Sequence, residues 1–114
     1  SGYQAMKTLL ETGAYPKAVF AIADILAVGA LRAIKAHGLS APHDIALVGY
    51  NDIEFAELLD PPLTTVSIPT YQAGFQAVES LQKLRAGERL SPSKLILDTE
   101  LVVRQSCGCS GSNP

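Results

Sequence analysis

The stretch VGYNDIEFAELLDPPLTTV, from Val48 to Val66, decides how this chain of 114 residues folds. It starts at the end of an apolar run, Ile45–Val48, which predicts a short buried strand. Three polar or hydroxyl-bearing residues, Tyr50–Asp52, follow where the strand gives way to a loop. Pro61–Pro62 excludes a helix interior or a central strand, and Leu63–Val66 is extended again. A polar loop that follows a buried strand is where parallel α/β sheets bind ligands.

The residues before this stretch predict a strand–helix–strand unit. Ala18–Ala23 is a compact apolar run, typical of a buried parallel strand. The residues from about Ile25 to His37 have helical spacing, with Leu31 and Ile34 on the inner face. The next strand is predicted at Asp44–Tyr50, which makes a right-handed βαβ unit. A further helix, Tyr3–Thr12, is expected ahead of it.

The residues after the quoted stretch are predicted to continue the α/β pattern. The expected elements are a short helix Ile53–Leu59, an extended segment Leu63–Ile68, a long helix Tyr71–Ala86, and strands Lys94–Leu97 and Glu100–Arg104. The apolar face of the long helix is expected to point inward; it comprises Ala73, Ala77, Val78, Leu81 and Leu84. The expected N-caps are Asp24, Asp52 and Thr70, since short oxygen-bearing side chains accept bonds from free helix amides.

The composition indicates one globular unit that does not bind nucleic acid by itself. Apolar residues make up 47% of the chain and charged residues 18%, enough to build a core. The net charge of −2 argues against a DNA-binding face, which is normally basic. No run approaches the roughly 18–20 apolar residues of a membrane span. Cys107 and Cys109 are expected to be reduced thiols in a tail of small residues, because so close a spacing is poor geometry for a bridge.

No catalytic, metal or cofactor site is expected. The turns after the strands lack the glycine-rich patterns that cradle phosphates, and no serine lies in a nucleophile elbow. His37 and His43 have no ligand-like spacing with the cysteines. The acids of residues 54–60 fall on a predicted solvated helix face. The chain is therefore predicted not to be an enzyme.

A binding site is the better hypothesis. Asp24 and the pair Asn51–Asp52 follow successive strands of one parallel sheet, so they are expected at the same sheet edge. Hydrogen-bonding groups beside apolar walls are typical of a small-molecule cleft. Asp24 is either a helix cap or a ligand-binding group. For Asn51 a ligand role is favoured, because nothing else in the loop needs its amide.

Several ordered motifs together resemble the LacI/GalR family of bacterial transcriptional regulators. They are FAIADILAVGA from Phe20 to Ala30, Gly38 with PHDI from Pro42, VGYND from Val48 to Asp52, PPLTTV from Pro61 to Val66, Gly74 with Ala77, and LVVRQS from Leu101 to Ser106. The resemblance implies an α/β, parallel-sheet lobe of a type I periplasmic-binding-protein-like fold, present as an incomplete fragment. It covers residues 1–106, the C-terminal portion of an effector-binding and dimerisation domain.

The same resemblance implies a division into lobes. Residues 1–67 and 100–106 would belong to the C-terminal lobe and residues 71–97 to part of the N-terminal lobe, with 107–114 as a flexible tail. The implied effector-binding residues are Ala23, Asp24, Tyr50 and Asn51. The implied dimer interface comprises Ile25, Val28, Gly29, Leu31, Leu58, Leu59, Pro62 and Leu63.

This chain departs from the family pattern at two of the implied effector positions. Ala23 stands where many members have Asn, which removes a polar contact. Asn51 stands where many have Asp, which exchanges an anionic acceptor for a group that both donates and accepts. These differences are expected to change which small molecule is selected.

The implied function is that of a cytoplasmic, allosteric regulator of transcription. A small-molecule effector, a sugar or a related metabolite, would control operator binding by a homodimer or higher homo-oligomer. DNA would be contacted through a headpiece that is absent from this chain, and no membrane would be involved. The alternative is a fragment of a periplasmic solute-binding protein of a sugar transporter, which shares the fold and the cleft.

Overall fold

A computed structural model describes residues 1–109 and contains three α-helices and four short strands within that range. The elements are α1 (Gly2–Glu11), β1 (Ala18–Phe20), α2 (Asp24–Ala36), β2 (Ala46–Val48), a 3-10 turn (Ala56–Leu58), β3 (Thr65–Ser67), α3 (Thr70–Arg85) and β4 (Glu100–Val102). All three long helices that the sequence predicts are present, each within a residue of the expected bounds.

The described residues form two compact units. Unit 1 comprises Ser1–Ser67 together with the residues from Leu101 onward, and unit 2 comprises Ile68–Glu100. Every buried residue of the described range lies in unit 1. Unit 1 therefore contains the core beneath the loops that follow β1 and β2.

The predicted βαβ unit is confirmed. β1 and β2 pair in parallel with Val19 opposite Leu47, and α2 connects them. Regular pairing covers only three residues in each strand, fewer than the sequence predicts. Single backbone bonds extend it: the Ala21 amide donates to the Val48 carbonyl at 2.8 Å. The two strands therefore run side by side into their carboxyl-end loops.

β3 and the residue before it run parallel to the end of β2. The Gly49 amide donates to the Thr64 carbonyl and the Asn51 amide to the Val66 carbonyl, both at 2.9 Å. Isolated parallel bridges join Val48 with Thr64 and Asn51 with Ser67. β3 also pairs with β4. Three successive segments thus end at one edge of the sheet.

The core of unit 1 lies between the sheet and the helix pair α1–α2. Leu31 and Ile34 of α2 are buried, as the helical spacing predicts. The two helices approach so closely that a side chain at Gly29 would lie 2.5 Å from the Tyr3 backbone nitrogen. The other buried apolar residues are Met6, Leu10, Ala21, Ala27, Ala30, Ala33, Ala41, Ile45, Leu47, Ala56 and Leu63.

None of the three expected helix caps is a cap. α2 begins at Asp24 and its N-cap is Ala23, with no side-chain cap bond. α3 has Pro69 as its N-cap, again without a side-chain bond. The predicted helix Ile53–Leu59 is only the 3-10 turn, so Asp52 caps nothing. Both aspartates are bonded across the sheet instead, because partners distant in sequence reach their carboxylates.

Unit 2 is dominated by α3, and its predicted inward face is not buried. The structure leaves Val78, Leu81 and Leu84 between 51% and 64% exposed. No described residue of this helix is buried. Residues 94–97 form no strand, contrary to the sequence prediction. The predicted helix is therefore present, but the face expected to point inward is exposed.

The described part of the chain contains no helix that is both long enough and apolar enough to span a membrane. Of the predicted tail, Cys107 lies in a turn with Ser106, and residues 108–109 follow it without regular structure. The remainder, 110–114, lies outside the described residues.

Candidate functional site

The candidate site is the edge of unit 1 where β1, β2 and β3 end. The Asp24 amide donates to the Tyr50 carbonyl at 2.9 Å, which ties the loop after β1 to the loop after β2. The Asn51 amide is bonded to the β3 segment through Val66. The structure therefore brings the predicted residues Ala23, Asp24, Tyr50 and Asn51 together, as expected for the carboxyl ends of parallel strands.

Asp24 is wholly buried, and its carboxylate connects the loop after β2 with β3. It is 0% exposed. One oxygen accepts the Thr65 hydroxyl at 2.7 Å and the other accepts the Ile53 amide at 2.9 Å. Both carboxylate oxygens are thereby satisfied, as a buried charge requires. A side chain at Gly49 would collide with this carboxylate, so glycine there makes room for Asp24.

A half-buried ion pair fixes the outer side of the same loop. The Arg104 Nη2 atom lies 2.9 Å from Asp52 Oδ1, with side-chain exposures of 18% and 22%. Arg104 Nη1 also donates to the Leu63 carbonyl at 2.9 Å. The Asp52 amide donates to Thr65 Oγ1 at 3.3 Å. Asp24, Asp52, Thr65 and Arg104 thus form one continuous set of hydrogen bonds, called here the loop network.

Asn51 is the exposed residue that this network presents. Its φ is 113° and that of Asp52 is 55°, values that L-residues seldom adopt and that Asn and Asp tolerate best. Its backbone amide is held by Val66, while the residue itself is exposed and the neighbouring Tyr50 is half-buried. Such backbone conformations persist only where the surroundings fix them, and they cluster at ligand sites.

Ala23, at the start of α2, forms the rim of the candidate site together with Tyr50 and Asn51. Its backbone is extended, with φ −155° and ψ 144°, and it precedes the first helical residue. The residue is half-buried and brings no polar side-chain atom to the edge. The rim therefore combines an apolar methyl group, a phenol and one carboxamide.

Two residues of the loop network escaped prediction. Thr65 and Arg104 lie far along the chain from the loops they hold, so no local spacing points to them. The signal for Arg104 was its position at the end of the otherwise apolar run Leu101–Val103. A half-buried arginine needs an anionic partner, and the partner is Asp52.

The residues predicted to form a dimer interface separate into three groups. Ile25 and Leu58 are 63% and 78% exposed. Leu31 and Leu63 are buried in the chain's own core, where they leave little surface for a partner. Gly29 packs against α1 of the same chain, so its small size serves that helix contact. The half-buried members are Val28, Leu59 and Pro62.

Two apolar grooves within the described residues lie apart from the polar rim. An apolar groove of about 440 Å³ lies in unit 1 between α1 and the edge of β1, lined by residues such as Leu9, Phe20 and Ile22. A second, of about 410 Å³, lies within unit 2 around Pro69 and Leu95. Neither has the convergent polar groups that orient a small ligand. The loop edge is therefore the better candidate site.

The described residues contain no cluster of three or more side chains suited to a metal ion. Cys107 and Cys109 are both thiols. Burial raises the pKa of Cys107, but hydrogen bonds from the side chains of Cys109 and Thr64 outweigh burial, and the net pKa is lowered. The pKa of Cys109 is raised, chiefly by its hydrogen bond to Cys107.

A parallel βαβ unit with polar loops at its strand ends is the arrangement in which α/β domains bind small molecules. The comparisons with known proteins agree. Residues 1–107 match the model of the periplasmic binding protein-like domain, and the chain belongs to this family.

Its relatives are regulators of transcription. The chain is 43% identical over 109 residues to the HTH-type transcriptional repressor MelR of Bacillus subtilis, covering 96% of this chain and 31% of the relative. It is 41% identical to the regulator CelR of Thermobifida fusca, covering 93% and 31%. The chain thus spans about a third of the length of the curated relatives it matches.

Solved structures give the same result. A CelR–cellobiose complex matches with a TM-score of 0.86 and 40% identity, over 93% of this chain and 32% of that one. The Lac repressor dimer bound to operator and an anti-inducer matches with a TM-score of 0.83 and 34% identity, over 93% and 32%. The resemblance to LacI/GalR regulators and the predicted fold class are therefore confirmed. These relatives are regulators and not enzymes, in agreement with the sequence prediction.

Proposed function

We propose that this chain is the effector-sensing part of a bacterial LacI-type transcriptional regulator. The complete protein binds operator DNA in the cytoplasm through a headpiece outside this chain. A small molecule bound at the loop edge of unit 1 changes the operator affinity. The matched regulators, over nearly the whole chain, support this function over that of a transporter's binding protein.

The observation that carries the proposal is the loop network beneath Asn51. A buried carboxylate, Asp24, and the ion pair Asp52–Arg104 hold an exposed carboxamide in an unusual backbone conformation. A fold gains no stability from such a conformation. A preorganised polar group beside half-buried apolar side chains does serve ligand binding, because the ordering cost is met during folding.

Asn51, Tyr50 and Ala23 are the proposed contact residues. Asn51 both donates and accepts hydrogen bonds, so it can distinguish the two ends of a hydroxyl or amide pair. Asp24 is assigned a positioning role, because its oxygens already accept the Ile53 amide and the Thr65 hydroxyl. The rim at Ala23 offers only a methyl group, which favours a ligand with an apolar face at that point.

The proposed effector class is a sugar or a glycoside. The CelR structure is a complex with cellobiose, and it matches this chain over 93% of its length. Sugars present alternating hydroxyl edges and apolar C–H faces. A carboxamide such as Asn51 suits the edges, and aromatic or methyl groups such as Tyr50 and Ala23 suit the faces.

Regulation is proposed to work through the relation between lobes and subunits. Unit 1 corresponds to the C-terminal lobe and unit 2 to part of the N-terminal lobe. Effector binding favours one arrangement of the lobes, which biases a population of DNA-binding dimers. The proposed dimer surface uses the exposed side chains Ile25 and Leu58, with Val28, Leu59 and Pro62 around them, since exposed apolar groups in one patch mark interaction sites.

The test compares two variants of Asn51 in the full-length regulator. Asn51→Gly removes the carboxamide but accepts the positive φ freely. Asn51→Ala removes the carboxamide and also strains the backbone. Calorimetry with cellobiose, melibiose, lactose and sucrose should identify a disaccharide ligand for the native protein. We expect both variants to lose affinity for it at least about tenfold, equivalent to about 1.4 kcal/mol, with unchanged affinity for operator DNA.

The two variants distinguish a direct contact of Asn51 with the ligand from a role of Asn51 in the loop backbone. If Asn51→Gly binds the disaccharide as well as the native protein while Asn51→Ala does not, Asn51 shapes the loop and touches no ligand. If neither these disaccharides nor their component monosaccharides bind, the sugar class is wrong, and the same variants are applied to nucleosides. Loss of operator binding in Asn51→Gly would contradict the assignment to an effector site.

A further inference from the structure

Two thiols lie side by side at the C-terminal end of unit 1, and the loop network does not use them. The Cys109 amide donates to Cys107 Sγ at 3.3 Å. Gly108, between them, has φ 75°, and its amide donates to the Gln105 carbonyl at 3.2 Å. A backbone turn therefore folds Cys109 back onto Cys107.

This turn changes the geometry that otherwise makes a disulfide between two cysteines separated by one residue unfavourable. In an extended Cys-X-Cys segment the two Cα atoms lie about 7 Å apart, beyond the range suited to a bridge. A left-handed residue between them shortens that separation, and Gly108 adopts this conformation at no steric cost. The bond from the Cys109 amide to Cys107 Sγ holds the two residues in this arrangement. The backbone of Cys109 therefore already lies beside the Cys107 sulfur in the reduced protein.

The pair is anchored to the core yet open to solvent. Ser106, which precedes Cys107, is fully buried, and its hydroxyl accepts the Thr64 amide at 2.8 Å and donates to the Leu47 carbonyl at 2.6 Å. Gly108 lies against Pro42. Cys107 is half-buried and Cys109 is exposed. A small solute can reach thiols whose backbone is fixed on one side.

The two thiols also differ in reactivity. The pKa of Cys107 is lowered, since hydrogen bonds from Cys109 and Thr64 outweigh the effect of burial. The pKa of Cys109 is raised by the same neighbour. Because the thiolate is the nucleophile, Cys107 is suited to attack first and Cys109 to react second.

We propose that Cys107-Gly108-Cys109 is a redox-active dithiol that reacts with low-molecular-weight disulfides of the glutathione type. The Cys107 thiolate attacks one sulfur of the disulfide, forms a mixed disulfide and releases one thiolate. Cys109, as it loses its proton to solvent, attacks Cys107 Sγ, closes the Cys107–Cys109 bond and releases the second thiolate. Two protein thiols are oxidised and one disulfide is reduced to two thiols, so atoms and electrons balance.

The test uses oxidised glutathione on the full-length protein, with Cys109→Ser and Cys107→Ser as a matched pair. Trypsin cleaves after Arg104, so one peptide beginning at Gln105 carries both cysteines. Mass spectrometry after alkylation should find this peptide short of two hydrogen atoms in the native protein, and the loss should be reversed by a dithiol reductant. Cys109→Ser should accumulate a stable glutathione adduct on Cys107. Cys107→Ser should form an adduct at least about tenfold more slowly.

A third variant tests the turn. Gly108→Ala places a side chain at positive φ, so ring closure should slow while the first adduct forms at the native rate. The proposal is overturned if the native protein gains two adducts and no internal bond, if neither cysteine reacts faster than free glutathione exchanges, or if Gly108→Ala closes the bond as fast as the native sequence.

Discussion

Unit 1 and unit 2 both contain helices with an apolar face, but only unit 1 buries it. In unit 1 the apolar side chains of α1, α2 and the strands are buried together, and buried polar groups such as Asp24 and Thr65 find partners. In unit 2 the helix α3 has an apolar face of similar spacing, yet no residue of it is buried. Helical periodicity therefore predicts which face of a helix is apolar, but it does not predict which other surface packs against that face.

The difference separates local from distant causes of structure. Unit 1 is held by contacts between segments far apart in sequence, such as Ser106 with Leu47. In contrast, no residue of α3 is buried. Isolated helices of this length are marginal in water. Unit 1 should therefore resist perturbation as one body, while α3 should depend on surfaces beyond Ile68–Glu100.

The largest expected effect is on stability and concerns one apolar truncation in each unit. Ile34→Ala in unit 1 should lower the free energy of unfolding by about 2–5 kcal/mol, because Ile34 is fully buried and its loss leaves a cavity. Leu81→Ala in unit 2 should change it by less than about 0.5 kcal/mol in this 114-residue chain. Urea unfolding of both variants measures the two values.

The same truncations in the full-length regulator sharpen the comparison. If further chain covers α3, Leu81→Ala should become strongly destabilising there, while Ile34→Ala should cost the same in both contexts. Equal losses for the two variants in the 114-residue chain would contradict the contrast between the units.

The next effect concerns the buried carboxylate of unit 1. Asp24→Ala should cost about 1–3 kcal/mol for each orphaned donor, here the Ile53 amide and the Thr65 hydroxyl. Thr65→Val removes the hydroxyl that donates to Asp24 and accepts the Asp52 amide. The bond from the Ile53 amide to the other Asp24 oxygen stays in place, so this variant should lose less stability. Thermal unfolding of the two variants compares them. A milder effect of Asp24→Ala than of Thr65→Val would mean that Asp24 does not support the loop.

A smaller effect is expected at the ion pair Asp52–Arg104. A double-mutant cycle with Asp52→Asn and Arg104→Gln should give a coupling energy of about 0.5–3 kcal/mol, since both side chains are largely shielded from solvent. The cycle also cancels the separate bond from Arg104 to the Leu63 carbonyl. Additive single effects would show that the two charges act independently.

The smallest effect should come from the surface pair Lys35–Asp60. The two charged atoms lie 3.2 Å apart, but the side chains are 50% and 94% exposed. Asp60→Asn should change the free energy of unfolding by less than about 0.5 kcal/mol. Raising the salt concentration should erase even that difference. A larger loss at Asp60 than at Asp52 would reverse the ranking that burial predicts.

The sequence was sufficient for the elements whose signals are local. Periodicity located α1, α2 and α3, and short apolar runs located β1 and β2. These elements could be located because each signal lies within a few neighbouring residues. The common edge of Asp24 and Asn51 instead follows from the general geometry of parallel strands.

The sequence failed where the partner is distant. Asp24 looks like a cap from its neighbours, but Thr65 and Ile53 bond its carboxylate across the sheet. The burial of Leu63 in the chain's own core likewise depends on segments distant in sequence, such as Ala56, whose carbonyl accepts the Leu63 amide. The left-handed turn at Gly108 was likewise invisible, since glycine permits that conformation without requiring it.

The buried Ser106 has a consequence for how the protein is made. Its backbone and hydroxyl supply the neighbours that Leu47 and Thr64 lack, so the sheet of unit 1 is completed only by a segment that follows the whole of Ile68–Glu100. Translation through Ser67 therefore leaves Leu47 and Thr64 without the partners that Ser106 provides. These bonds can form only after residues 68–100 have also been synthesised, and until then the unpaired backbone groups are open to pairing with other strands.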